Sequence, residues 1–301
     1  GSVVHPRHPV TIPEMPHLLV TGTLHRGVTF LGLAVATAAV VGCATVTEQQ
    51  ESQLGASYSA EIAKQLPLIK DPEVHRYINA LGESLAGLTL RSQLTWHFEI
   101  VDDPDVNAFA VPGGYIYVNR GLIERAKSMH QVAGVIGHEI GHGFDDQGSR
   151  FDGDGNLNNW WSDTDRSEFE KRTAALVDQY NQLSPSSAPD VKVNGAFTLG
   201  ENIGDLGGMN IAIKAYQIAL NGAEPPIIDG LTAMQRFFLS WAQCWRRLIR
   251  PEEAKLRIAT DPHSPDEHRC NQIVRNLDDF YSAFEVTESD ALYLKERVQI
   301  W

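Results

Sequence analysis

The sequence predicts an α+β fold that is mostly helical and has a small antiparallel sheet. Apolar residues recur at helical spacing through residues 47–69, 71–89 and 231–249. The last of these segments has an aromatic-rich stripe that ends at Leu248, and we expect this stripe to lie in the core. Residues 96–101 alternate apolar and polar side chains, which is typical of a half-buried strand.

The composition limits the possible partners and crosslinks. The 301 residues have a net charge of −13, which argues against a nucleic-acid partner because phosphate binding needs clustered Lys and Arg. Three cysteines are too few for a disulfide framework. Cys244 and Cys270 could pair in an oxidising compartment, but we expect both to be small buried hydrophobes. Residues 152–156 superficially suggest a calcium loop, but they lack its downstream glutamate, so we expect a tight Asp-Gly turn.

The first 42 residues are typical of a targeting segment. Residues 28–41 form an uncharged apolar run that is too short to span a bilayer easily but fits the core of a secretory signal. The run is followed by Gly42-Cys43, which resembles the lipobox of bacterial lipoproteins. The resemblance implies acylation of Cys43 and a lipid anchor in the bacterial cell envelope, in the outer membrane facing the periplasm. A buried core helix is the alternative for this run.

A hairpin follows the predicted strand at 96–101. A short strand at 106–111 leads through Pro112-Gly113-Gly114 into a second strand at 115–118. Because proline cannot donate to the ladder, Pro112 limits the first of these strands to the edge of a sheet. An edge strand has free backbone groups that can hold an extended peptide, although an ordinary hairpin has the same spacing.

The motif with the clearest chemistry is His138-Glu139-Ile140-Gly141-His142, in an apolar run with helical spacing. Two histidines at this spacing project from one face of a helix, so both imidazoles can bind one Zn²⁺. Glu139 is placed to take a proton from water that the metal activates. Because such short matches arise by chance, the alternative is that the two histidines only cap or pack the helix. A third metal ligand elsewhere in the chain would distinguish the two interpretations.

Glu201 supplies a possible third ligand further along the chain. It opens another apolar pattern with helical spacing, and its carboxylate can complete a His₂Glu site with one open position. Asp205 lies one turn later on the same face, where it can accept the second ring N–H of a ligand histidine. A solvated helix start would be the ordinary interpretation of an isolated pair of acids.

Residues from about 48 to 142 resemble the metallopeptidase family of the CAAX prenyl protease, especially its bacterial lipoprotein members. The resemblance is carried by residues 103–114 and 121–123 and by the His138 motif. In zinc peptidases with this motif and a glutamate ligand, an Asn-Ala-aromatic edge strand binds the substrate backbone. Asn107 and Ala108 match that strand, which implies that both bind substrate.

From about residue 135 to 301 the chain is similar to the zinc metallopeptidase family of neprilysin and endothelin-converting enzyme. The shared motifs, in order, are residues 143–148, 155–157, 160–161, 200–208 and 261–265. This resemblance implies a gluzincin (thermolysin-like) fold and one Zn²⁺ held by His138, His142 and Glu201. It assigns His263 to the oxyanion of the tetrahedral intermediate and Arg269 to a substrate carbonyl, both as donors where negative charge accumulates.

These patterns divide the chain into a targeting segment (1–42), helices with an edge-strand hairpin (43–130), and a zinc peptidase region (131–301). The predicted activity is that of a zinc metalloendopeptidase, with Glu139, Asp205 and His263 as catalytic residues and peptides or unfolded proteins as substrates. Two alternatives stay open because the resemblances meet at the metal-binding helix. One is an inactive hybrid lipoprotein that acts as an envelope scaffold or holdase. The other is an envelope quality-control protease.

Overall fold

The computed structural model describes residues 48–89, 95–111, 113–126, 129–150 and 161–300, without the side chains of residues 48–55 and 130. The predicted targeting segment, the lipidation site Cys43 and the predicted turn at 152–156 lie outside these ranges. In the part of the chain that is described, no helix is both long and apolar enough to cross a lipid bilayer.

The described residues are mostly helical and form one three-stranded sheet, as the sequence predicts. The helices are α1 (Glu48–Gln65), α2 (Pro72–Ala86), α3 (Arg120–Arg125), α4 (Met129–Gly141), α5 (Asp163–Asn181), α6 (Leu199–Leu220), α7 (Ala233–Cys244), α8 (Pro251–Thr260), α9 (Asp266–Val274) and α10 (Asp278–Phe284). The strands are β1 (His97–Val101), β2 (Ala108–Val111) and β3 (Tyr115–Asn119).

The sheet is mixed, so the prediction of a wholly antiparallel sheet is wrong. Its strand order is β1-β3-β2. β2 and β3 form the predicted antiparallel hairpin, but β1 pairs with β3 in parallel, with His97 opposite Tyr115 and Val101 opposite Asn119. Alternation of side chains predicts that a strand exists, but the connection between strands sets their relative direction.

β2 lies at the edge of the sheet, as Pro112 predicts. Asn119 N donates to Asn107 O at 3.0 Å, and bonded pairs alternate along an antiparallel ladder, so the backbone groups of Ala108 and Ala110 face away from β3. The other edge is partly covered, since the segment before α2 forms an antiparallel bridge to β1. The open edge is therefore the one formed by β2.

The two faces of the sheet pack against different helices. On one face, Tyr117 packs with Ile62 of α1 and with Leu66, which directly follows that helix. On the other face, Phe98 and Ile116 belong to the main core, together with residues of α2, α4 and α6. The alternating side chains of the strands thus bury both faces, and the sheet lies over the helix that contains the histidine motif.

Two pairs of glycines let α4 and α6 approach each other closely. A Cβ on Gly137 would lie 3.1 Å from the Cα of Gly208, and one on Gly141 would lie 3.3 Å from the Cα of Gly204. Because glycine has no Cβ, it permits such an approach of two backbones. Gly137 and Gly141 lie four residues apart in α4, and Gly204 and Gly208 lie four residues apart in α6. Each helix therefore has one stripe of glycines. This contact places the start of α6 beside the end of α4.

The aromatic stripe of α7 is shorter than the sequence predicts. Phe237, Phe238 and Trp241 are buried as expected, but α7 ends at Cys244 and Leu248 is fully exposed. The expectation that Cys244 is buried is also wrong, because its side chain is exposed beyond the packed part of the helix. Cys270 is half-buried, and neither cysteine is in a disulfide.

Candidate metal centre and active site

The structure brings His138, His142 and Glu201 together in one buried cluster. The Nε2 atoms of the two histidines lie 3.0 Å apart, although α4 ends at Gly141 and His142 begins a short 3-10 turn. Oε2 of Glu201 lies 3.2 Å from Nε2 of His138, and Oε1 lies 3.9 Å from Nε2 of His142. One ligand atom from each residue lies within 4.8 Å of the others, so the three can hold one metal ion.

The polar atoms of this cluster fit a zinc ion. Oε2 of Glu201 is buried and lies 3.2 Å from Nε2 of His138 and 3.0 Å from Nε2 of His263, but among the described residues it forms no hydrogen bond of good geometry. Burying a carboxylate oxygen without a well-formed hydrogen bond costs free energy. The two imidazole nitrogens also face each other at 3.0 Å, so one lone pair has no donor unless a cation or a proton lies between them. Two imidazoles and a carboxylate are also the ligand set of many catalytic zinc sites.

Each histidine of the cluster has a carboxylate behind it. Nδ1 of His138 lies 2.9 Å from Oδ1 of Asp205, and Nδ1 of His142 lies 2.9 Å from Oδ2 of Asp145. Such a contact keeps the proton on Nδ1, so that the lone pair of Nε2 points to the metal. The position of Asp205 is the one that the sequence predicts. Its catalytic role stays a prediction.

Contacts among the ligand residues and their neighbours shift the pKa values of His138 and Glu201. Burial alone would lower the pKa of His138, but its contacts with Asp205 and Glu201 outweigh burial and raise that pKa to about 10. Burial would raise the pKa of Glu201, but contacts with His138 and His263 bring it well below its ordinary value. A metal at this site therefore has to displace a proton from an imidazole, while the glutamate is already ionised.

Glu139 lies beside the ligands and has a free carboxylate oxygen. The residue is buried, and its Oε2 has no hydrogen-bond partner in the part of the chain that is described. Burial raises the pKa of Glu139, and the positive field of His138 and His142 opposes this rise only in part. A carboxylate with a raised pKa is suited to accept and return a proton near neutral pH.

His263 reaches the same cluster from the segment between α8 and α9. Its Nε2 lies 3.0 Å from Oε2 of Glu201, and its Nδ1 lies 2.7 Å from Oδ1 of Asp261. Burial lowers the pKa of His263, but Asp261 and Glu201 together raise it to about 9. The imidazolium is thus favoured at neutral pH, which suits the predicted role as a donor to an oxyanion. That role stays a prediction.

Arg269 is held mainly by Asp205. Its Nε and Nη2 atoms donate to the two carboxylate oxygens of Asp205, each at 2.7 Å, and its guanidinium lies over the ring of Trp245 at 4.4 Å. Two of its three nitrogens therefore orient the carboxylate behind His138. The predicted bond from Arg269 to a substrate carbonyl is left to the remaining N–H groups of Nη1 and Nη2, and it stays a prediction.

A cleft of about 770 Å³ lies beside the metal-binding cluster. Asn107 lines it, together with His263 and Arg269, while the side chain of Ala108 is buried beneath the strand. The backbone of Ala108, the next residue, faces the open edge of β2, where an extended peptide can bond to it. The assignment of Asn107 and Ala108 to substrate binding stays a prediction.

Two residues that contact the site were not assigned a role from the sequence. Asp145 lies three residues after His142, and Asp261 lies two residues before His263. The signal was present in both cases, because a carboxylate so close in sequence to a functional histidine can reach its second ring nitrogen. Both lie in motifs that carry the second resemblance.

Comparison with known proteins supports both resemblances. The sequence model of peptidase family M13 matches residues 122–300, and that of peptidase family M48 matches residues 69–147. The chain belongs to peptidase family M13. The two matches overlap over the end of α3 and over the whole of α4, so both families include the histidine motif.

Curated relatives of this M13 chain are longer proteins. Neprilysin-1 of Caenorhabditis elegans is 37% identical over 205 residues, which are 66% of this chain and 27% of the relative. Endothelin-converting enzyme 1 of Bos taurus is 41% identical over 170 residues, 56% of this chain and 22% of the relative. The chain thus spans about a quarter of the length of the curated relatives that it matches.

Solved structures confirm the fold. The zinc metalloprotease ZMP1 of Mycobacterium tuberculosis, in complex with an inhibitor, matches with a TM-score of 0.59 and 47% identity over 71% of this chain and 33% of that protein. Its open state matches with a TM-score of 0.61 and 50% identity. The predicted gluzincin fold, mostly helical with a small sheet, is therefore that of the M13 peptidases.

Proposed function

We propose that this chain is a zinc-dependent metalloendopeptidase. The observation that carries the proposal is the buried cluster of His138, His142 and Glu201, in which Glu139 and His263 lie beside the three ligand atoms. A cleft lined by His263 and Arg269 adjoins this cluster, and Asn107, which precedes the open strand β2, lines the same cleft. The inactive scaffold is not favoured, because a scaffold has no need of this set of buried groups.

Each residue of the site has a separate task in the proposed reaction. When bound, Zn²⁺ supplies Lewis-acid chemistry that polarises a carbonyl and acidifies water. Glu139 takes a proton from the attacking water and delivers it to the leaving amine. His263 donates a hydrogen bond to the oxygen on which negative charge develops. Asp205 and Asp145 hold the two ligand imidazoles in the required tautomer.

The proposed substrate is a peptide in an extended conformation. Ala108 and Ala110 present backbone groups at the open edge of β2, where an extended chain can add as a further strand. Asn107 lies in the cleft at the start of this edge, where its amide can bond to the substrate backbone. Backbone recognition of this kind accepts many side chains and requires an unfolded segment.

The direct test is the substitution Glu139→Gln. The amide keeps the size of the side chain but cannot accept a proton, so we expect zinc to remain bound and peptide cleavage to fall by at least about 10²-fold. Cleavage of a quenched fluorescent peptide and metal analysis of the same sample measure both effects. Glu168→Gln, at an exposed glutamate of α5, serves as the matched control. Cleavage by Glu139→Gln at the wild-type rate would contradict the mechanism.

We further propose that the chain is anchored in the bacterial outer membrane by acylation of Cys43, facing the periplasm. The support is the lipobox-like sequence that ends at this cysteine. Expressed in a Gram-negative host, the chain should partition into detergent and carry a diacylglyceryl mass at Cys43. Cys43→Ser should lose both properties, and an unmodified, water-soluble wild-type chain would contradict the proposal.

A further inference from the structure

We propose that Ser264 and Asn202 position His263 against the metal site. They form a buried hydrogen-bonded link that ties the loop of His263 to helix α6. This inference rests on the proposed function, since the task of His263 is to stabilise charge in the peptidase reaction. Neither residue touches the substrate in this proposal, so both are positioning residues.

The link is a chain of buried polar groups. Oγ of Ser264 donates to Oδ1 of Asn202 at 2.7 Å, and Nδ2 of Asn202 donates to Oγ1 of Thr198 at 2.9 Å. Oγ1 of Thr198 in turn donates to the carbonyl oxygen of Asn194 at 3.2 Å. Ser264, Asn202 and Thr198 are 3%, 0% and 3% exposed, so water does not compete for these bonds. A buried polar chain that is fully bonded favours a single arrangement.

The sequence neighbours of the link explain what it positions. Asn202 follows the ligand Glu201 on α6, and Ser264 follows His263 in the short segment between α8 and α9. A bond between Asn202 and Ser264 therefore fixes the distance between the elements that carry the ligand and the oxyanion donor. Asp261 cannot do this, because it bonds to His263 from the same loop and not from α6.

The direct contact between His263 and Glu201 does not replace the link. Nε2 of His263 lies 3.0 Å from Oε2 of Glu201. In the proposed enzyme, the carboxylate of Glu201 holds the metal, and Nε2 of His263 has to be available to the substrate. The Ser264–Asn202 bond uses neither group, so it can hold the loop throughout the reaction.

The test is a double-mutant cycle of Ser264→Ala and His263→Ala. A misplaced donor can cost about 10²-fold in rate, and the loss of an oxyanion donor costs about 10²–10³-fold. We expect Ser264→Ala to lower kcat by about 10- to 100-fold with little change in KM or bound zinc. Because Ser264 acts through His263, adding Ser264→Ala to His263→Ala should change kcat less than about 2-fold.

Two further measurements separate positioning from loss of folding. Thr173→Val removes another buried hydroxyl, which donates to the carbonyl oxygen of Glu170, and it should leave kcat unchanged. The affinity for a phosphonamidate dipeptide, which imitates the tetrahedral intermediate, should fall in Ser264→Ala by the same factor as kcat. Calorimetry measures this affinity even in a chain that cleaves no peptide, so the proposed function and this inference can fail separately.

Three outcomes would overturn the inference. The first is a kcat for Ser264→Ala equal to that of the wild type. The second is a loss in the double variant equal to the product of the two single losses. The third is an unchanged affinity for the phosphonamidate in Ser264→Ala, whether or not the wild-type chain has peptidase activity.

Discussion

At the residue scale, the site depends on Asp205, which contacts both His138 and Arg269. One of its oxygens lies 2.9 Å from Nδ1 of His138, and both of its oxygens accept from the guanidinium of Arg269. Burial would raise the pKa of Asp205, but the charge and hydrogen bonds of Arg269, together with the contact to His138, outweigh burial and lower that pKa. Asp205 is therefore ionised at neutral pH and can keep the proton of His138 on Nδ1.

Asp205→Asn should weaken zinc binding by about 10- to 100-fold. The amide has no charge to orient the imidazole, and it leaves the buried guanidinium of Arg269 without its main partner, so the melting temperature should also fall. Competition with a calibrated chelator measures the affinity. Asp278→Asn, which breaks an exposed pair with Arg297, is the control and should leave zinc binding unchanged. Equal zinc affinity in both variants would contradict this role of Asp205.

Local spacing made most of the site predictable. His138 and His142 lie four residues apart, as do Glu201 and Asp205, and helical geometry alone puts each pair on one face. The contact between the two pairs depends on how the helices pack, and the sequence indicated it only through the family resemblance. The Ser264–Asn202 bond was not predicted, because a serine and an asparagine so far apart in sequence give no local pattern.

At the element scale, the glycine stripes of α4 and α6 set the distance between the ligands. A Cβ on Gly208 would lie 2.7 Å from the backbone N of His138 and 2.8 Å from the carbonyl oxygen of Gly134. Backbone atoms cannot move aside as a flexible side chain can. The two helices would therefore have to separate, and Glu201 would move away from His138 and His142.

Gly208→Ala should lower both the melting temperature and the zinc affinity. Gly134→Ala is the matched control on the facing helix, because its Cβ would meet only the ring of Trp241 at 3.9 Å, an ordinary contact. Since alanine is favoured over glycine inside a helix by about 0.5–1 kcal/mol, the control should be neutral or stabilising. Thermal melts with and without zinc measure both variants. A Gly208→Ala chain as stable as wild type would show that the close approach is not required.

The elements themselves were more predictable than their arrangement. Helix and strand periodicity located α1, α2, β1 and the hairpin, because these patterns are local. The parallel pairing of β1 with β3 was missed, because a strand's partner is set by a connection that has no periodicity. The exposure of Leu248 was missed for a related reason, since apolar residues continue beyond the residue at which α7 ends.

At the scale of the whole molecule, the metal connects parts of the chain that are distant in sequence. His138 near the end of α4 and His142 just after it lie beneath the sheet, Glu201 lies in the first turn of α6, and His263 is in the segment before α9. A ligand that binds only the folded state stabilises it, by about 2.7 kcal/mol at a concentration of 100 times Kd. Removal of zinc with a chelator should therefore lower the melting temperature, and added zinc should restore it.

Glu201→Ala provides the control for this stability measurement. Without its third ligand the chain should melt at the same temperature with and without added zinc. A wild-type melting temperature that does not respond to chelator would indicate that the metal, if bound, is not held by the folded cluster.

The central claim is that His138, His142 and Glu201 together hold one zinc ion, and X-ray absorption at the zinc edge tests it most directly. In the zinc-loaded chain we predict one zinc per chain with two imidazole nitrogens at about 2.0–2.1 Å and a carboxylate oxygen at about 2.0–2.2 Å. Glu201→Ala should lose the oxygen ligand together with most of the bound metal. A purified chain that binds no zinc, or a Glu201→Ala variant with the wild-type zinc content and spectrum, would contradict the claim.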